Sequence, residues 1–172
     1  MKVLMLAAEA APLVKVGGLG DVVGGLSAEL RALGHDVRIA LPHYGFLSAA
    51  GESESVHSVR WGRAKVKSSC IETAIEGTPC YLIGGRPIAL DENVYAQNDM
   101  VDAQGFVFFA LASLQHTRVL GFQPDVVHIH DAHPGAALHW LSQAARTETF
   151  WRDTARVLTI HNMVYQYNEV AE

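Results

Sequence analysis

The chain has 172 residues, with 13 Lys and Arg against 18 Asp and Glu, and therefore a formal charge of −5. This negative balance, with no run of basic residues, argues against a nucleic-acid or anionic-membrane surface. A chain of this length buries about 70% of its unfolded surface and folds without a disulfide or metal. No apolar stretch approaches the roughly 18 residues of a membrane span. The apolar segment at the N-terminus ends at Glu9 and is too short for a signal peptide, so we expect a cytoplasmic protein.

The N-terminal part predicts a strand, a loop, a helix and a second strand. Residues 2–8 form a continuous apolar run, which is typical of a strand buried in a parallel sheet. After an irregular stretch, Asp21 stands where a helix N-cap is expected, and Gly34 closes that helix as the glycine just past its end. Residues 36–41 predict the second strand, which Pro42 ends.

The middle of the chain differs from this pattern. Residues 51–62 are polar and weakly patterned, which predicts a loop. Residues 64–75 and 80–83 predict two antiparallel strands joined by a turn, as part of an insertion over about residues 51–100. The turn does not place the two cysteines opposite each other, so we expect both to be reduced and buried. They are Cys70 and Cys80.

The last third returns to alternating helices and strands. Apolar spacing predicts a helix over 103–119, and a short strand follows over 125–130. Pro134 suits the first position of a helix that runs through Ala145, and residues 156–161 predict a further strand. Four strands alternating with helices predict a Rossmann-like, doubly wound parallel α/β sheet. In such sheets, ligands bind at the carboxyl ends of the strands.

A glycine-rich loop, Lys-Val-Gly-Gly-Leu-Gly-Asp at 15–21, lies between the first strand and the first helix. Glycines let the backbone come close to a ligand, and N–H groups at a helix start attract phosphate, to which Lys15 adds positive charge. The spacing Gly18-x-Gly20-x-x-x-Gly24 resembles a dinucleotide fingerprint. However, about nine residues separate it from the strand and no acid ends the second strand, which disfavours a cofactor-dependent dehydrogenase. A structural loop that allows tight helix–sheet packing stays open as the alternative.

Four of the nine histidines lie close together, at His128, His130, His133 and His139. The run His-Ile-His-Asp-Ala-His suggests a metal site, but Asp131 stands one residue earlier than in the metallo-hydrolase pattern H-x-H-x-D-H. We therefore predict no metal here. His128 is expected to be structural, bonding loop backbone beneath the strand end, whereas Asp131 and His133 are expected to be functional.

His161 and Asn162 follow the last predicted strand. Three strand ends, after Ala8, His130 and Ile160, thus carry polar or phosphate-binding residues. Because the carboxyl ends of parallel strands meet in one crevice, a shared ligand site is favoured over separate structural roles.

Taken together, these motifs resemble the N-terminal, catalytic domain of bacterial glycogen synthases and plant starch synthases. The segments that carry the resemblance are residues 15–21, 34–37, 42–44, 127–135 and 159–166. Their order and approximate spacing follow the family from residue 1 to about residue 166. The lysine-glycine loop and the Ile-His-Asn-x-x-Tyr-Gln segment are specific in combination.

The resemblance implies that residues 1–172 form one lobe of a two-lobed, GT-B type glycosyltransferase. Such an enzyme transfers glucose from ADP-glucose to the non-reducing end of an α-1,4-glucan with retention at the anomeric carbon, without a metal or other cofactor. It implies catalytic roles for Asp131 and His161 beside the transferred glucose. The residues that it implies as substrate-binding, the first three of them at the diphosphate, are Lys15, Gly17, Gly18, Asp21, His133 and Asn162.

Two positions depart from the family pattern: Ala132 stands for a Trp and Tyr167 for a Gly. By the same resemblance, we expect the C-terminal nucleotide-binding lobe to be absent from this chain, which is either a fragment of the enzyme or a subunit that takes this lobe from a separate partner chain. The single lobe is expected to be inactive without that partner. A stand-alone, non-catalytic module that binds glucan or a nucleotide sugar is the alternative.

Overall fold

One seven-stranded sheet runs through the computed structural model, which describes residues 1–47, 53–88, 93–96 and 98–162. The strands are β1 (Lys2–Leu6), β2 (Asp36–Pro42), β3 (Ser53–Trp61), β4 (Ala64–Ile75), β5 (Thr78–Gly85), β6 (Val126–His130) and β7 (Ala155–Thr159). Their order across the sheet is β3-β4-β5-β2-β1-β6-β7. The five strands from β5 to β7 in this order pair in parallel, and β3 and β4 continue the sheet as antiparallel strands. This confirms the predicted class, a mostly parallel α/β sheet that carries an antiparallel hairpin.

The helices cover the sheet on both faces. Those described are α1 (Gly18–Ala32), α2 (Asp99–Val119) and α3 (Ala136–Thr147). The chain passes from β1 to its neighbour β2 through α1, and from β6 to its neighbour β7, in the opposite direction, through α3. Because such crossovers are right-handed, the two movements place α1 and α3 on opposite faces, which makes the sheet doubly wound. No helix within the described ranges is long and apolar enough to cross a membrane.

The central strand β1 explains why the sequence begins with a continuous apolar run. It lies between β2 and β6, and its residues from Leu4 to Leu6 are fully buried, as are Ala7 and Ala8 after it. A strand that is covered on both faces has no solvent side for polar residues, so apolar residues do not alternate with polar ones. The carboxyl end of this strand leads directly into the glycine-rich loop.

The prediction of a loop over residues 51–62 is wrong. Residues Ser53–Trp61 form the edge strand β3, which pairs antiparallel with β4 from Ser53 opposite Glu72 to Trp61 opposite Ala64. An edge strand needs only main-chain pairing along one side, so polar side chains at alternate positions do not prevent it. Its partner β4, rather than its own hydrophobicity, makes this segment a strand.

Asp21 is not the N-cap of the first helix; Gly17 is the N-cap, and the helix begins at Gly18. Asp21 lies in the first turn, where a negative charge is favourable at the positive end of the helix dipole. Because Gly17 has no side chain, it cannot cap the first amides of α1. At the other end the prediction is confirmed, since Gly34 has φ 86° and donates its amide to the Arg31 carbonyl.

The second and third helices also start at positions other than those predicted. α2 starts at Asp99 rather than at residue 103, because the Asn98 side chain accepts hydrogen bonds from the Met100 and Val101 amides at 3.0 and 3.1 Å. Pro134 lies in a short 3₁₀ turn, and α3 follows that turn. The apolar period therefore locates a helix, whereas its capping side chain decides where the helix begins.

Both cysteines are free and buried, as predicted. Cys70 lies opposite Ile83 on the β4–β5 pair, and Cys80 lies opposite Thr73, so the register separates the two thiols. Burial raises the pKa of Cys70 to about 12 and also raises the pKa of Cys80. Both residues therefore act as small apolar groups in the core.

Replacing Gly24 with alanine is expected to lower the free energy of unfolding by about 1–3 kcal/mol. A Cβ at Gly24 would lie 2.5 Å from the Ala11 carbonyl oxygen, a backbone atom that cannot rotate away. Gly25 is the matched control, because a Cβ there has no atom within 4 Å and alanine favours helix by about 0.5–1 kcal/mol. Urea unfolding measures both variants, and equal stability of the two would contradict the close packing of α1 on the loop.

Candidate functional site

The strand order reverses at the centre of the sheet, and this point brings the predicted site residues to one edge. From β1 the chain moves to β2 on one side, while β6 pairs with β1 on the other side. In open α/β sheets, the crevice outside the carboxyl ends of two such strands is the usual ligand site. The glycine-rich loop follows β1, Asp131 follows β6, and His161 follows the adjacent strand β7.

The glycine-rich loop is held by a residue that the sequence analysis did not single out. Glu9 follows the buried end of β1 and is only 2% exposed. Its Oε2 atom accepts hydrogen bonds from the amides of Val16 and Gly17 at 2.7 and 2.9 Å, and its Oε1 atom accepts one from the Tyr95 hydroxyl at 2.6 Å. A buried carboxylate needs such partners, because an unpaired one is strongly disfavoured. A charged residue that directly continues a buried apolar run is the sequence signal that points to this role.

Lys15 and Asp21 meet at the start of α1. The Lys15 Nζ atom lies 2.8 Å from the Asp21 Oδ1 atom, and both side chains are more than half exposed. The amides of Gly18 and the residues after it form the first turn of the helix, whose N–H groups have no partner within the helix. The exposed lysine and these amides together make the loop suited to an anionic group.

Asp131 ties the ends of β6 and β7 together. Its own amide donates to the Thr159 carbonyl at 2.8 Å, and its Oδ1 atom accepts from the amides of His161 and Asn162 at 2.6 and 3.3 Å. Asp131 has φ 62°, a left-handed conformation that Asp and Asn adopt more readily than most residues. The carboxylate therefore fixes the backbone that carries His161.

Three histidines pack side by side beneath this edge. The rings of His128 and His130 have centroids 4.1 Å apart, and the His130 Nδ1 atom lies 3.0 Å from the His161 Nε2 atom. Burial, together with the two neighbouring imidazoles, lowers the pKa of His130 to about 3, so its ring is neutral at physiological pH. A neutral His130 can share a hydrogen bond with His161 without charge repulsion, and so it fixes the orientation of that ring.

His128 has the structural role that was expected, but with a different partner. Its Nε2 atom lies 2.7 Å from the Thr159 hydroxyl on β7, not from loop backbone. The pKa of His128 is lowered by burial and by the neighbouring His161 ring. His128 therefore joins β6 to β7 through side chains.

His133 lies apart from the other two histidines of the motif, against aromatic rings. Its ring centroid is 4.9 Å from that of Tyr95 and 4.6 Å from that of Phe106. The pKa of His133 is lowered overall, because the effect of burial exceeds the opposing effect of the carboxylates of Asp102, Asp131 and Glu9.

In the described part of the chain, no three His, Cys, Asp or Glu side chains converge as a metal site.

The structure thus joins some of the predicted site residues and leaves others unlinked. Asp131 bonds the backbone of His161 and Asn162, and Lys15 pairs with Asp21. Gly17 donates its amide to Glu9, so the amide that the sequence analysis assigned to a phosphate already has a partner. Of the Ile-His-Asn-x-x-Tyr-Gln segment, residues 163–166 lie outside the described residues.

A cavity of about 560 Å³ lies at the opposite edge of the sheet, away from these residues. It opens beside the amino ends of β1 and β2 and the start of β6, and its lining includes Lys2, Asp36 and Asp125. Lys2 also donates its amide to the Asp125 carboxylate at 2.7 Å, so this region has a structural role in joining strand starts. The rule for α/β sheets favours the carboxyl edge as the site.

The strand order and the crossovers at the reversal define a Rossmann-like α/β domain. The profile of the starch synthase catalytic domain family matches residues 2–171. The chain therefore belongs to this family of glycosyltransferases, which confirms the resemblance that its motifs predicted.

Similar proteins and structures agree with this assignment. Glycogen synthase 2 of Geobacter metallireducens is 36% identical over 173 residues, which are 96% of this chain and 36% of that protein. A glycogen synthase of Streptococcus pneumoniae is 36% identical over 172 residues, covering 96% of this chain and 35% of that protein. The catalytic domain of Starch Synthase IV from Arabidopsis thaliana, solved with ADP and acarbose, superposes with a TM-score of 0.84 at 30% identity and covers 96% of this chain and 34% of that one. This chain therefore spans about a third of the length of the relatives it matches.

Proposed function

We propose that this chain is one lobe of an ADP-glucose-dependent glycogen or starch synthase. The lobe takes part in transferring glucose from ADP-glucose to the non-reducing end of an α-1,4-glucan, with retention at the anomeric carbon. The observation that carries the proposal is the Asp131–His161 arrangement beside the loop that follows β1, at the carboxyl edge of the sheet. The solved relative with bound ADP and acarbose supports a nucleotide and a glucan as the two ligands.

Every predicted site residue except Gly17 has a part in this proposal. Lys15 and the first amides of α1, beginning at Gly18, bind the diphosphate, and Asp21 holds Lys15 beside them. His161 contacts the transferred glucose, and Asp131 positions His161 through its backbone amide. The remaining two, His133 and Asn162, line the same crevice as substrate-binding residues.

The reaction depends more on the positioning of glucose and acceptor than on a reactive protein group. The bond between the anomeric carbon and the diphosphate oxygen breaks, and the acceptor 4-hydroxyl oxygen bonds to that carbon. The proton of this hydroxyl passes to the departing diphosphate, and ADP leaves. Positive charge and N–H donors aimed at the diphosphate stabilise the charge that develops on it, and fixed contacts hold glucose and acceptor together. Since an open lobe leaves the diphosphate in water, where charges interact weakly, a second lobe is needed for turnover.

The test combines this chain with the rest of Geobacter metallireducens glycogen synthase 2, as a complex that we call the assembled enzyme. Glycogen elongation from ADP-glucose by the assembled enzyme, and none by either part alone, is the expected result. No elongation at saturating substrate would contradict the proposed transfer.

We also place the protein in the cytoplasm, because both of its buried cysteines are free thiols.

A non-catalytic binding module is the second candidate, favoured by Ala132, which is exposed at a position where the family pattern has a Trp. Calorimetry of the chain alone with ADP-glucose and with maltoheptaose separates the two functions. Binding of the glucan without any binding of the nucleotide sugar supports the module. Binding of the nucleotide sugar supports the synthase lobe.

Replacing Lys15 with glutamine is expected to weaken ADP-glucose binding about tenfold, because one charge-assisted contact to the diphosphate is lost. Added salt should weaken binding more in the wild type than in this variant, since the Lys15 charge is exposed and screened. The matched control is Lys65→Gln on the exposed side of β4, which removes the same charge far along the chain. Equal affinity of the Lys15 and Lys65 variants in calorimetry would contradict the role of Lys15.

A further inference from the structure

The buried carboxylate of Glu9 connects three parts of the site edge. It holds the loop through the amides of Val16 and Gly17, and it reaches the segment 93–96 through the hydroxyl of Tyr95. The Tyr95 ring in turn contacts the ring of His133. Glu9 therefore lies where the loop after β1 meets the region after β6.

The bonding of Glu9 is directed at the loop rather than at solvent. All three donors face its two oxygens, and the residue is 2% exposed. Burial and the Glu9 carboxylate raise the pKa of Tyr95, so its hydroxyl stays protonated and remains a donor. Hydrogen bonds to a charged acceptor are about twice as strong as neutral ones, so these bonds fix the loop firmly.

The direction of these bonds decides which loop groups face a ligand. With the Val16 and Gly17 amides turned inward to Glu9, the next amide along the chain is that of Gly18, the first residue of α1. Lys15 precedes this pair, and its side chain is exposed beside Asp21. Lys15 and the N-terminus of α1 therefore flank the two amides that Glu9 holds.

We propose that Glu9 is a positioning residue that holds the Val16 and Gly17 amides and so presents Lys15 and the Gly18 amide to the diphosphate of a nucleotide sugar. The inference rests on the proposed function for the identity of the ligand. Glu9 does not itself touch the diphosphate, because its two oxygens are bonded to the protein and like charges repel. Its effect on binding is therefore indirect, through the conformation of the loop.

Three substitutions separate the geometry of Glu9 from its charge. Glu9→Gln keeps the length and one acceptor oxygen for the two amides, while the Tyr95 hydroxyl can turn to accept from the new NH₂ group. Glu9→Asp keeps the charge but shortens the side chain, and Glu9→Ala removes both. Glu29→Ala, on the exposed side of α1, is the matched control for loss of a glutamate.

The experiment measures amide hydrogen exchange in this chain and affinity for ADP, as the probe, in the assembled enzyme. Amide hydrogen exchange by NMR reports whether Val16 and Gly17 are hydrogen-bonded, and a titration with ADP reports affinity. In the Glu9→Ala and Glu9→Asp variants, we expect faster exchange at these two amides and ADP affinity weaker by roughly tenfold. In Glu9→Gln and Glu29→Ala, we expect affinity within about threefold of the wild type. Exchange of the β1 amides should be unchanged, which distinguishes a loop effect from a loss of folding.

Several outcomes would overturn the inference. If Glu9→Asp binds ADP as the wild type does while Glu9→Gln does not, the charge of Glu9, and not its positioning of the loop, determines the affinity for ADP. If loop exchange is unchanged in both shortened variants, Glu9 does not hold the loop; the Asp variant keeps this test valid if the Ala variant does not fold. Failure of the wild-type assembled enzyme to bind ADP would count against the proposed function and the ligand named here, whereas the exchange measurement alone decides whether Glu9 holds the loop.

Discussion

Replacing Asp131 with alanine is expected to lower the turnover of the assembled enzyme on the order of 100-fold, because His161 loses the bond that fixes its backbone. Two amides, those of His161 and Asn162, would be left without the acceptor that they share. Residue 131 would also be strained, since alanine disfavours the φ of 62° that this position adopts. A displacement of about 1 Å in a positioning residue is enough for an effect of this size.

Asp131→Asn is the matched variant, because asparagine tolerates the same backbone conformation and keeps an oxygen that can accept from both amides. We expect this variant to retain turnover within about tenfold of the wild type, because weakening one hydrogen bond changes the rate by no more than about this factor. Initial rates of glycogen elongation from ADP-glucose measure all three proteins. An equal loss in both variants would show that the charge of Asp131, and not its hold on His161, is what the transfer needs.

The central part of the fold could be predicted from the sequence because its signals are local. The apolar run of residues 2–8 needs no partner to be recognised as a buried strand, and Gly34 marks the end of α1 through its own conformation. The edge strand β3 has no such signal, since its pairing with β4 comes from main-chain bonds that any residue can make. The start of α2 depended on one capping side chain, that of Asn98.

The site was predicted to the extent that it follows from strand ends. Asp131 and His161 end neighbouring parallel strands, so the rule that such ends converge was enough to bring them together. The hydrogen bond between Glu9 and Tyr95 joins residues that are 86 positions apart, and no pattern in the sequence predicts it. In the same way, the sequence run around His130 suggests a metal ligand, whereas in the structure His130 bonds the ring of His161. Contacts between distant side chains are set by packing, which a single sequence does not display.

Acidification is expected to destabilise the fold through two buried histidines, His116 and His130. Burial lowers the pKa of His116 to about 4, with a further contribution from His57, whose ring centroid lies 4.6 Å away. Because the folded-state pKa lies below the ordinary value of 6.5, the unfolded chain binds the proton first as the pH falls. Stability is therefore complete above about pH 6.5 and is lost as the pH falls towards 4, by about 3 kcal/mol for His116 alone. His130, with its pKa of about 3, adds a loss in the same direction that continues to lower pH.

Urea unfolding between pH 7 and pH 4 measures this loss, and His116→Phe isolates the part due to one residue. Phenylalanine keeps the edge contact of this ring with His57 and removes the titrating group. It also removes the interaction with the Ser68 backbone, which partly offsets the lowering of the His116 pKa. We expect this variant to have a flatter dependence of stability on pH than the wild type. His139→Asn, on the exposed face of α3, is the control for loss of a histidine and should follow the wild-type curve. Parallel curves for the wild type and His116→Phe would show that other groups govern the acid response, and would contradict a neutral, buried imidazole on the inner face of α2.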